Sequence, residues 1–585
     1  MPRRALSSFL PAYAAAVRHL GPRRAWLNLV HRARGRGRSF RRYSRPRWGD
    51  LELVGRARYP FPAATAGVGA TLVDSTFSAL RRCHDLGRPL DWDYPETDLW
   101  RFHLHYFGYL TSLPDPDRGR LVLDWIHRYR PRRGRPGWLP YPLSLRLRSW
   151  AKLLFAPPAW SGSERAAVLG SIEAQGCCLA DTVEYHLCGN HLLENGITLK
   201  LLAACFRGRA VARWARIGDS ILRAELDEQF LPDGGHIERS PMYHALLTGG
   251  LLDLVNVLPD GDPIRELVES RLPGALAFLL ALTHSDGQIA LFNDAALDTT
   301  PDPRALLEYA SLLGWPLPGR GPAAFPDTGY GVWASGGDAF LIDCGPVGPD
   351  YVPAHAHADI FSFEMSLGGR RLVVDGGTST YLAGEERDWV RSTRAHNTVE
   401  VAGTDQCELL GAFRLGRRGR PRDVWLRVSP EGLELQGWHD GYRRLPGRPV
   451  HRREVRFVAP SAVFVWDAVE SEAPHPAVSR IHLAPGVTLQ QRDSRTVTIE
   501  LPGLRLLLVA SGGRVDRESG YYAPRFGERL PIDVLAVTAE RRASFGYVLA
   551  PEELAPSIDA DGGALRDRRI PRRESPEAGR GATAR

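Results

Sequence analysis

The sequence predicts an α+β chain of two domains, a helical half followed by an antiparallel β half. Three observations carry that expectation. The 585 residues exceed what a single core ordinarily serves. From about Leu121 to Trp315 the apolar residues recur at helical spacing, in segments separated by Gly and Pro. After Phe325 the pattern changes to alternation, with apolar residues at every second position.

In chain order, residues 1–55 form a basic segment in which Arg32, Arg34, Arg36, Arg38, Arg41 and Arg42 read as a solvated tail. Arg3 and Arg4 precede a weakly apolar stretch, Ala5 to Val17, but Pro11 interrupts it and no clear cleavage site follows. A secretory leader is therefore not expected, and location stays open between cell envelope and cytoplasm. Residues 56–318 form the helical domain, with helices expected near Leu121–Arg130, Ser163–Asp181, His191–Phe206, Arg213–Phe230, Met242–Val257, Pro263–Thr283 and Pro303–Leu313. Short links between such helices give αα-hairpins, arranged as a bundle or a toroid. Residues 325–553 form the β domain, an antiparallel sheet or sandwich. Its plainest hairpin pairs Phe361–Leu367 with Arg370–Val374 across Gly368-Gly369. Further strands are expected at Thr398–Val401, Val424–Val428, Leu433–Gln436, Glu454–Phe457, Val463–Val469, Val497–Leu501 and Leu504–Val509. Residues 554–585 carry no apolar face and read as a disordered tail.

Composition narrows the function classes. Lys+Arg 75 against Asp+Glu 67 gives +8, but Lys152 and Lys200 are the only lysines, and much of the excess sits in the two ends. No nucleic-acid partner is expected from that balance. Seven cysteines without a CxxC pair exclude a disulfide scaffold. No uncharged apolar run approaches the roughly 18–20 residues that a membrane-spanning helix needs.

Three polar clusters carry chemistry. In the first, Asn190-His191-Leu192-Leu193-Glu194-Asn195, helical spacing puts His191, Glu194 and Asn195 on one face. They could present an amide and an imidazole to a cleft, or Asn190 could simply cap an exposed first turn. The second runs from Asp233 to His244. Ser240-Pro241 reads as a helix start, so Tyr243 and His244 fall in the first turn, where the helix N-terminus favours a phenolate. Tyr243 could equally be a packing residue. In the third, His355-Ala356-His357-Ala358-Asp359, an extended chain would point the two histidines and the carboxylate the same way. These are metal-ligand types, and Asp375 and His396 could join them at the same end of the sheet, although HxHxD by itself is nonspecific.

Taken together, from about Leu99 to Pro551, the clusters resemble the heparinase II/III-like polysaccharide lyases. The segments Leu99-Trp100-Arg101-Phe102-His103-Leu104-His105-Tyr106-Phe107 and Gly137-Trp138-Leu139-Pro140-Tyr141-Pro142 look like a branch of that family associated with bacterial surface polysaccharides. The resemblance implies an (α/α) toroid followed by an antiparallel β-sandwich, and β-elimination on a uronate chain. It implies that Asn190 and His191 hold the substrate carboxylate while Glu194 orients His191. Tyr243 would be base, acid or both, and His355 the base for the other C5 epimer. It also implies a zinc ion on His357, Asp375 and His396, which we read as structural because this elimination needs no metal-bound water. Trp138, Tyr141, Arg146, Arg148 and His244 are candidates to line the sugar cleft, since aromatic faces stack on pyranose rings and guanidinium groups pair with acidic substituents. The expected partner is an acidic polysaccharide or oligosaccharide. The same residues also admit two other functions: a glycoside hydrolase using carboxylates such as Glu184, Glu194 or Glu238, and a non-catalytic glycan-binding protein.

Overall fold

The computed structural model describes residues 40–44, 50–62, 69–540 and 544–554, together with Ala15. Most of the expected basic segment 1–55 and all but Leu554 of the expected tail 554–585 lie outside the described residues.

Nine helices, counted among the described residues, build the first half: α1 (Asp98–Tyr106), α2 (Asp115–Arg128), α3 (Pro140–Leu153), α4 (Gly162–Thr182), α5 (Gly189–Cys205), α6 (Val211–Gln229), α7 (Pro241–Val257), α8 (Pro263–Ala281) and α9 (Pro303–Leu312). Their starts follow local chemistry. Ser161 closes a capping box with Glu164 on α4. Ser240 caps α7, its Oγ accepting from the Tyr243 N–H, with Pro241 at the first helical position. Asp262 and Asp302 cap α8 and α9 in the same way.

Two helices escaped the apolar period. In α3 the inward face carries Arg146 and Arg148, both fully buried, so charged residues occupy positions that a pattern reading assigns to solvent. In α1 the buried face includes His103 and His105. The region expected to be wholly helical also opens on three short antiparallel strands, Thr71–Val73, Thr76–Ala79 and Arg82–Asp85. No described helix is long and apolar enough to cross a membrane.

Antiparallel sheets make up the second half. A five-stranded meander runs through Ala323–Phe325, Tyr330–Ser335, Asp338–Asp343, Phe363–Leu367 and Arg370–Val373. Its last hairpin turns on Gly368 and Gly369, both at positive φ, which is the backbone that the tight turn demands. An eight-stranded sheet pairs the meander from Pro421 to Glu470 with the strands Ser544–Pro551, Leu504–Ser511, Thr496–Leu501 and Thr488–Gln491. A four-stranded sheet orders Val399–Val401, Ala477–His482, Leu530–Ala539 and Arg514–Tyr522. One apolar core gathers the helices around Trp100, Trp150 and Trp214, a second fills the sheets around Phe340, Phe363 and Phe457, and a third joins Phe278 of α8 to Tyr330, Val332 and Leu341 of the meander. Residues 353–362 form no strand, so the HxHxD segment is not extended; it folds over the seam between the first two cores.

Candidate active site

A cavity of about 380 Å³ opens on that seam. Helices α1, α3, α5 and α7 supply one wall; Val352, His355, Tyr381, Phe413 and Phe526 supply the other. Asn190, His191, Tyr243, His355 and Tyr141 all line it. A second hollow of about 440 Å³, beside Tyr59, Phe61 and Lys152, contains none of them.

Helix α5 begins at Gly189, not at an Asn190 cap. Gly189 has φ +55°, and a Cβ there would come within 2.2 Å of Glu238 Oε1, so glycine is required. Glu238 binds Asn190 tightly: Oε1 accepts from the Asn190 backbone N–H at 2.7 Å, and both carboxylate oxygens accept from Nδ2 at 3.0–3.1 Å. Flipping the amide would set Oδ1 against both carboxylate oxygens, so the orientation is fixed and the buried Oδ1 remains the atom without a partner. His191 stacks on Tyr141, ring centroids 4.3 Å apart, and its Nδ1 faces Glu184 Oε2 at 3.3 Å. Burial pulls the imidazole pKa down. Glu184 outweighs it, with Glu238 and Glu194 adding, so the pKa lies above the ordinary value.

Across the cavity the Tyr243 and His355 rings lie 4.1 Å apart. The Tyr243 hydroxyl meets that of Tyr381 at 3.0 Å. Burial, reinforced by Tyr381 and by the charges on Asp294 and Glu238, pushes the Tyr243 pKa well above 10, so in the free protein it is a neutral phenol. The expected preference of the helix end for a phenolate is overturned: desolvation of a buried hydroxyl outweighs half a unit of dipole charge. His355 Nδ1 donates to Asp294 Oδ2 at 2.9 Å, which leaves the Nε2 lone pair free, 3.7 Å from Glu238 Oε2. Asp294 is fully buried. It also accepts from His357 Nε2 at 2.9 Å, from the Thr378 hydroxyl at 3.2 Å and from both Arg387 terminal nitrogens at 2.5 and 2.7 Å. Burial would raise its pKa, but Arg387 and the histidine bonds hold it well below the usual carboxylate range.

Behind His355 lies a candidate metal centre. His357, Asp359 and His396 bring one donor atom each within 4.8 Å of one another, all buried. His357 Nδ1, Asp359 Oδ2 and His396 Nε2 have no hydrogen-bond partner, and three orphaned donors converging in a dry interior fit a metal ion. The fourth residue differs from expectation. Asp375 Oδ2 accepts from His396 Nδ1 at 2.9 Å, so it orients the ligand from behind, as carboxylates do for metal-bound histidines, while Asp359 takes the inner position.

Non-glycine residues with φ near +60° flank these groups: Cys188 before Asn190, Arg239 after Glu238, Asn293 before Asp294, and Phe361 after Asp359. Each such backbone costs about 1–3 kcal/mol, and such strain gathers where geometry serves a site.

Family models agree with this architecture. The heparinase II/III N-terminus matches residues 143–311, and the heparinase II/III-like C-terminal model matches residues 317–559, together most of the chain. The chain belongs to the heparinase II/III-like family. Among solved structures a heparinase III superimposes with a TM-score of 0.64 at 17% identity, over 80% of each chain, so the two share a fold. FtsZ-localized protein C of Caulobacter vibrioides is 29% identical over 472 residues, 74% of this chain and 77% of that protein. Heparin-sulfate lyase of Pedobacter heparinus is 22% identical over 440 residues, 66% of this chain and 63% of that protein.

Within this heparinase II/III-like chain, several expected positions move. Glu194 does not touch His191: it pairs with Arg148, which also holds Asp253 at 2.8 Å, and Glu184 takes the place beside the imidazole. Arg148, 1% exposed, is therefore a buried structural cation and not a cleft group. Arg146 is consumed likewise by Gln175 and the face of Trp125. Trp138 stacks inside the core on Trp125. His244 turns away from the cavity, its Nε2 on the Ala275 carbonyl, and burial pushes its pKa down to about 3. Of the expected cleft residues Tyr141 alone lines the cavity. The sequence reading had no signal for Asp294, Tyr381 or Arg387, which lie outside every polar cluster. Glu238 lies within the second cluster, but nothing in its spacing links it to Asn190.

Proposed function

We propose that this protein is a polysaccharide lyase, an (α/α) toroid followed by an antiparallel β-sandwich, that cleaves a uronate-containing glycan by β-elimination. The observation that carries the reading is the convergence in one cavity of a cation-favouring imidazole, a fixed amide oxygen, a free histidine lone pair and a neutral tyrosine hydroxyl. The substrate carboxyl group sits against His191 and Asn190. Because Nδ2 is held by Glu238, Asn190 offers Oδ1, an acceptor, and His191 a donor. That pair suits a carboxyl group carrying a proton, the form in which the C5 hydrogen becomes acidic enough to remove.

The Nε2 of His355 takes the C5 proton, its tautomer held by Asp294. The C5–H electron pair becomes the C4=C5 bond as the C4–O bond breaks. The leaving oxygen takes the Tyr243 hydroxyl proton, and Tyr381, at 3.0 Å, lies on the path that restores it. For the opposite C5 epimer Tyr243 serves as base and then acid: its own proton goes to His355 Nε2, its phenolate oxygen takes the C5 proton and hands it to the leaving C4 oxygen, and His355 then returns the proton to Tyr243. A zinc ion on His357, Asp359 and His396, with Asp375 behind, would tie the 353–362 loop to the sheet and so fix His355. Asn190, His191, Tyr243 and His355 carry the proposed reaction, Glu184, Glu238 and Asp294 position them, and Glu194 belongs to the scaffold.

Ultraviolet absorbance of the unsaturated uronate tests this reading: turnover of a panel of uronate polymers should raise it, and Tyr243→Phe should abolish the rise. New reducing ends without absorbance would mean hydrolysis. A second reading, a glycan-binding protein acting beside FtsZ, draws support from the 29% identity to FtsZ-localized protein C. It requires that Tyr243→Phe leave function intact and that the protein sediment with FtsZ polymers.

A further inference from the structure

The second hollow, of about 440 Å³, lies at the far end of α3 from the catalytic cavity: Tyr141 and Leu145 line the cavity, Ser149 and Lys152 the hollow. From Tyr141 to Lys152 the helix rises about 16 Å, so the two spaces are distinct. Their charges differ as well. Among the described residues the hollow is lined by four cations, Arg58, Arg118, Arg148 and Lys152, and by no carboxylate or histidine, whereas no lysine or arginine lines the catalytic cavity. The acids that pair with these cations sit outside the lining. Fully buried Asp253 receives Arg148 and Lys152, and Glu194 receives Arg148. Buried Arg148 still keeps an Nε with no hydrogen-bond partner. Asp260 and Asp115, 81% and 67% exposed, receive Arg58 and Arg118. Such exposed pairs are weak, so both guanidinium groups can turn to a ligand. Arg118 also donates to the Leu113 and Thr111 carbonyls, which fixes its stem in place.

Rings and hydroxyls complete the lining. Tyr59, Phe61 and Phe155 supply aromatic faces; the Phe61 and Phe155 centroids are 5.5 Å apart, and the Lys152 ammonium lies 5.2 Å from the Phe61 ring. Asn256 of α7 fastens this wall, its Oδ1 accepting from the Tyr59 N–H and its Nδ2 donating to the Tyr59 carbonyl, both at 2.9 Å. The Ser149 and Thr111 hydroxyls donate to backbone carbonyls, which leaves their lone pairs to accept from a ligand. We propose that the hollow is a second binding site, for an acidic saccharide of one or two rings, that holds its ligand without cleaving it. The cations meet a carboxylate or phosphate, the aromatic faces meet the C–H faces of the sugar, and the hydroxyl lone pairs accept from its O–H groups. With no histidine or carboxylate in the lining, the hollow has no base held ready for a C5 proton. The inference does not depend on the lyase reading.

Calorimetric titration of the full chain carrying Asn190→Ala and Tyr243→Phe isolates the hollow, because the catalytic cavity has then lost its carboxyl acceptor and its acid. The probes are a glucuronate-containing disaccharide, glucose 6-phosphate, cellobiose and inorganic phosphate. The expected result is that at least one of the two acidic sugars binds about tenfold or more tighter than cellobiose and than inorganic phosphate, and loses that advantage over cellobiose at high salt. Preference for the uronate identifies a fragment of the polymer as the ligand, and preference for glucose 6-phosphate identifies a free sugar phosphate; either supports the proposal. Adding Arg58→Gln with Arg118→Gln, whose acid partners are exposed, should weaken the acidic sugar about tenfold with the melting temperature held within a few degrees. Phe61→Ala should weaken the acidic sugar and leave inorganic phosphate unchanged. Cellobiose or inorganic phosphate binding as tightly as the acidic sugars, binding of neither acidic sugar, or binding that survives loss of both arginines overturns the proposal.

Discussion

Replacing Asp294 with Asn should damage stability and rate together, through two different sets of bonds. The carboxylate is fully buried and accepts five hydrogen bonds, two from Arg387, one each from His355, His357 and Thr378. The amide cannot accept from both Arg387 nitrogens and leaves a buried guanidinium without its counter-charge. Breaking such a pair from one side costs about 3–5 kcal/mol. At roughly 2–4 °C per kcal/mol for a cooperative unit of about 200 residues, the melting temperature should fall by about 6–20 °C. Independently, His355 loses the acceptor that keeps its proton on Nδ1, so kcat should drop by about 10²–10⁴ even at temperatures where the variant is fully folded. Thermal unfolding followed by circular dichroism reads the first effect and steady-state turnover on the best polymer reads the second. Melting within a degree of the parent, with turnover intact, would refute the claim that Asp294 holds both the seam and the base.

Other substitutions separate roles that the cavity brings close together. Tyr243→Phe keeps the ring against His355 and should lower kcat about 10²–10⁴-fold with KM little changed, measured by initial rates. Glu184→Gln removes the partner that raises the His191 pKa. The cationic form exists below that pKa and is lost as pH rises through it, so the alkaline fall in kcat/KM should move to lower pH in the variant. Glu194→Gln should act on stability instead: with Arg148 losing one buried counter-charge, about 3–5 kcal/mol of unfolding free energy should disappear while KM on the folded protein stays near the parent value. For the metal, Asp359→Asn should abolish bound zinc in elemental analysis, whereas Asp375→Asn should weaken affinity about 10–100-fold.

What the sequence revealed and what it hid divide along physical lines. Signals that depend on neighbours in the chain were readable: the Ser240-Pro241 start of α7, the Gly368-Gly369 hairpin, and seven of the nine helices with boundaries within a few residues at most ends. The periodic reading failed where buried charge replaced apolar side chains, as in α3, where Arg146 and Arg148 sit on the inward face. Partners across the chain were not readable. Glu184 and Glu194 are both within one turn or loop of His191, and only the packed structure shows Arg148 claiming the second and leaving the first for the imidazole. By spacing alone HxHxD looked like one ligand set, but the segment is not extended, and His355 lines the cavity while His357 and Asp359 converge with His396. Asp294, the residue that connects both sets, sits in a loop whose sequence gives no hint of five incoming bonds.

The central claim is that a bond breaks by elimination in the cavity shared by Asn190, His191, Tyr243 and His355. Mass spectrometry of the products from a defined uronate oligosaccharide tests it most directly. Elimination gives a new non-reducing end lighter by one water than hydrolysis does, formed by the parent protein and absent with Tyr243→Phe. Products of full hydrolytic mass, or unsaturated products that persist undiminished in Tyr243→Phe, would contradict the account.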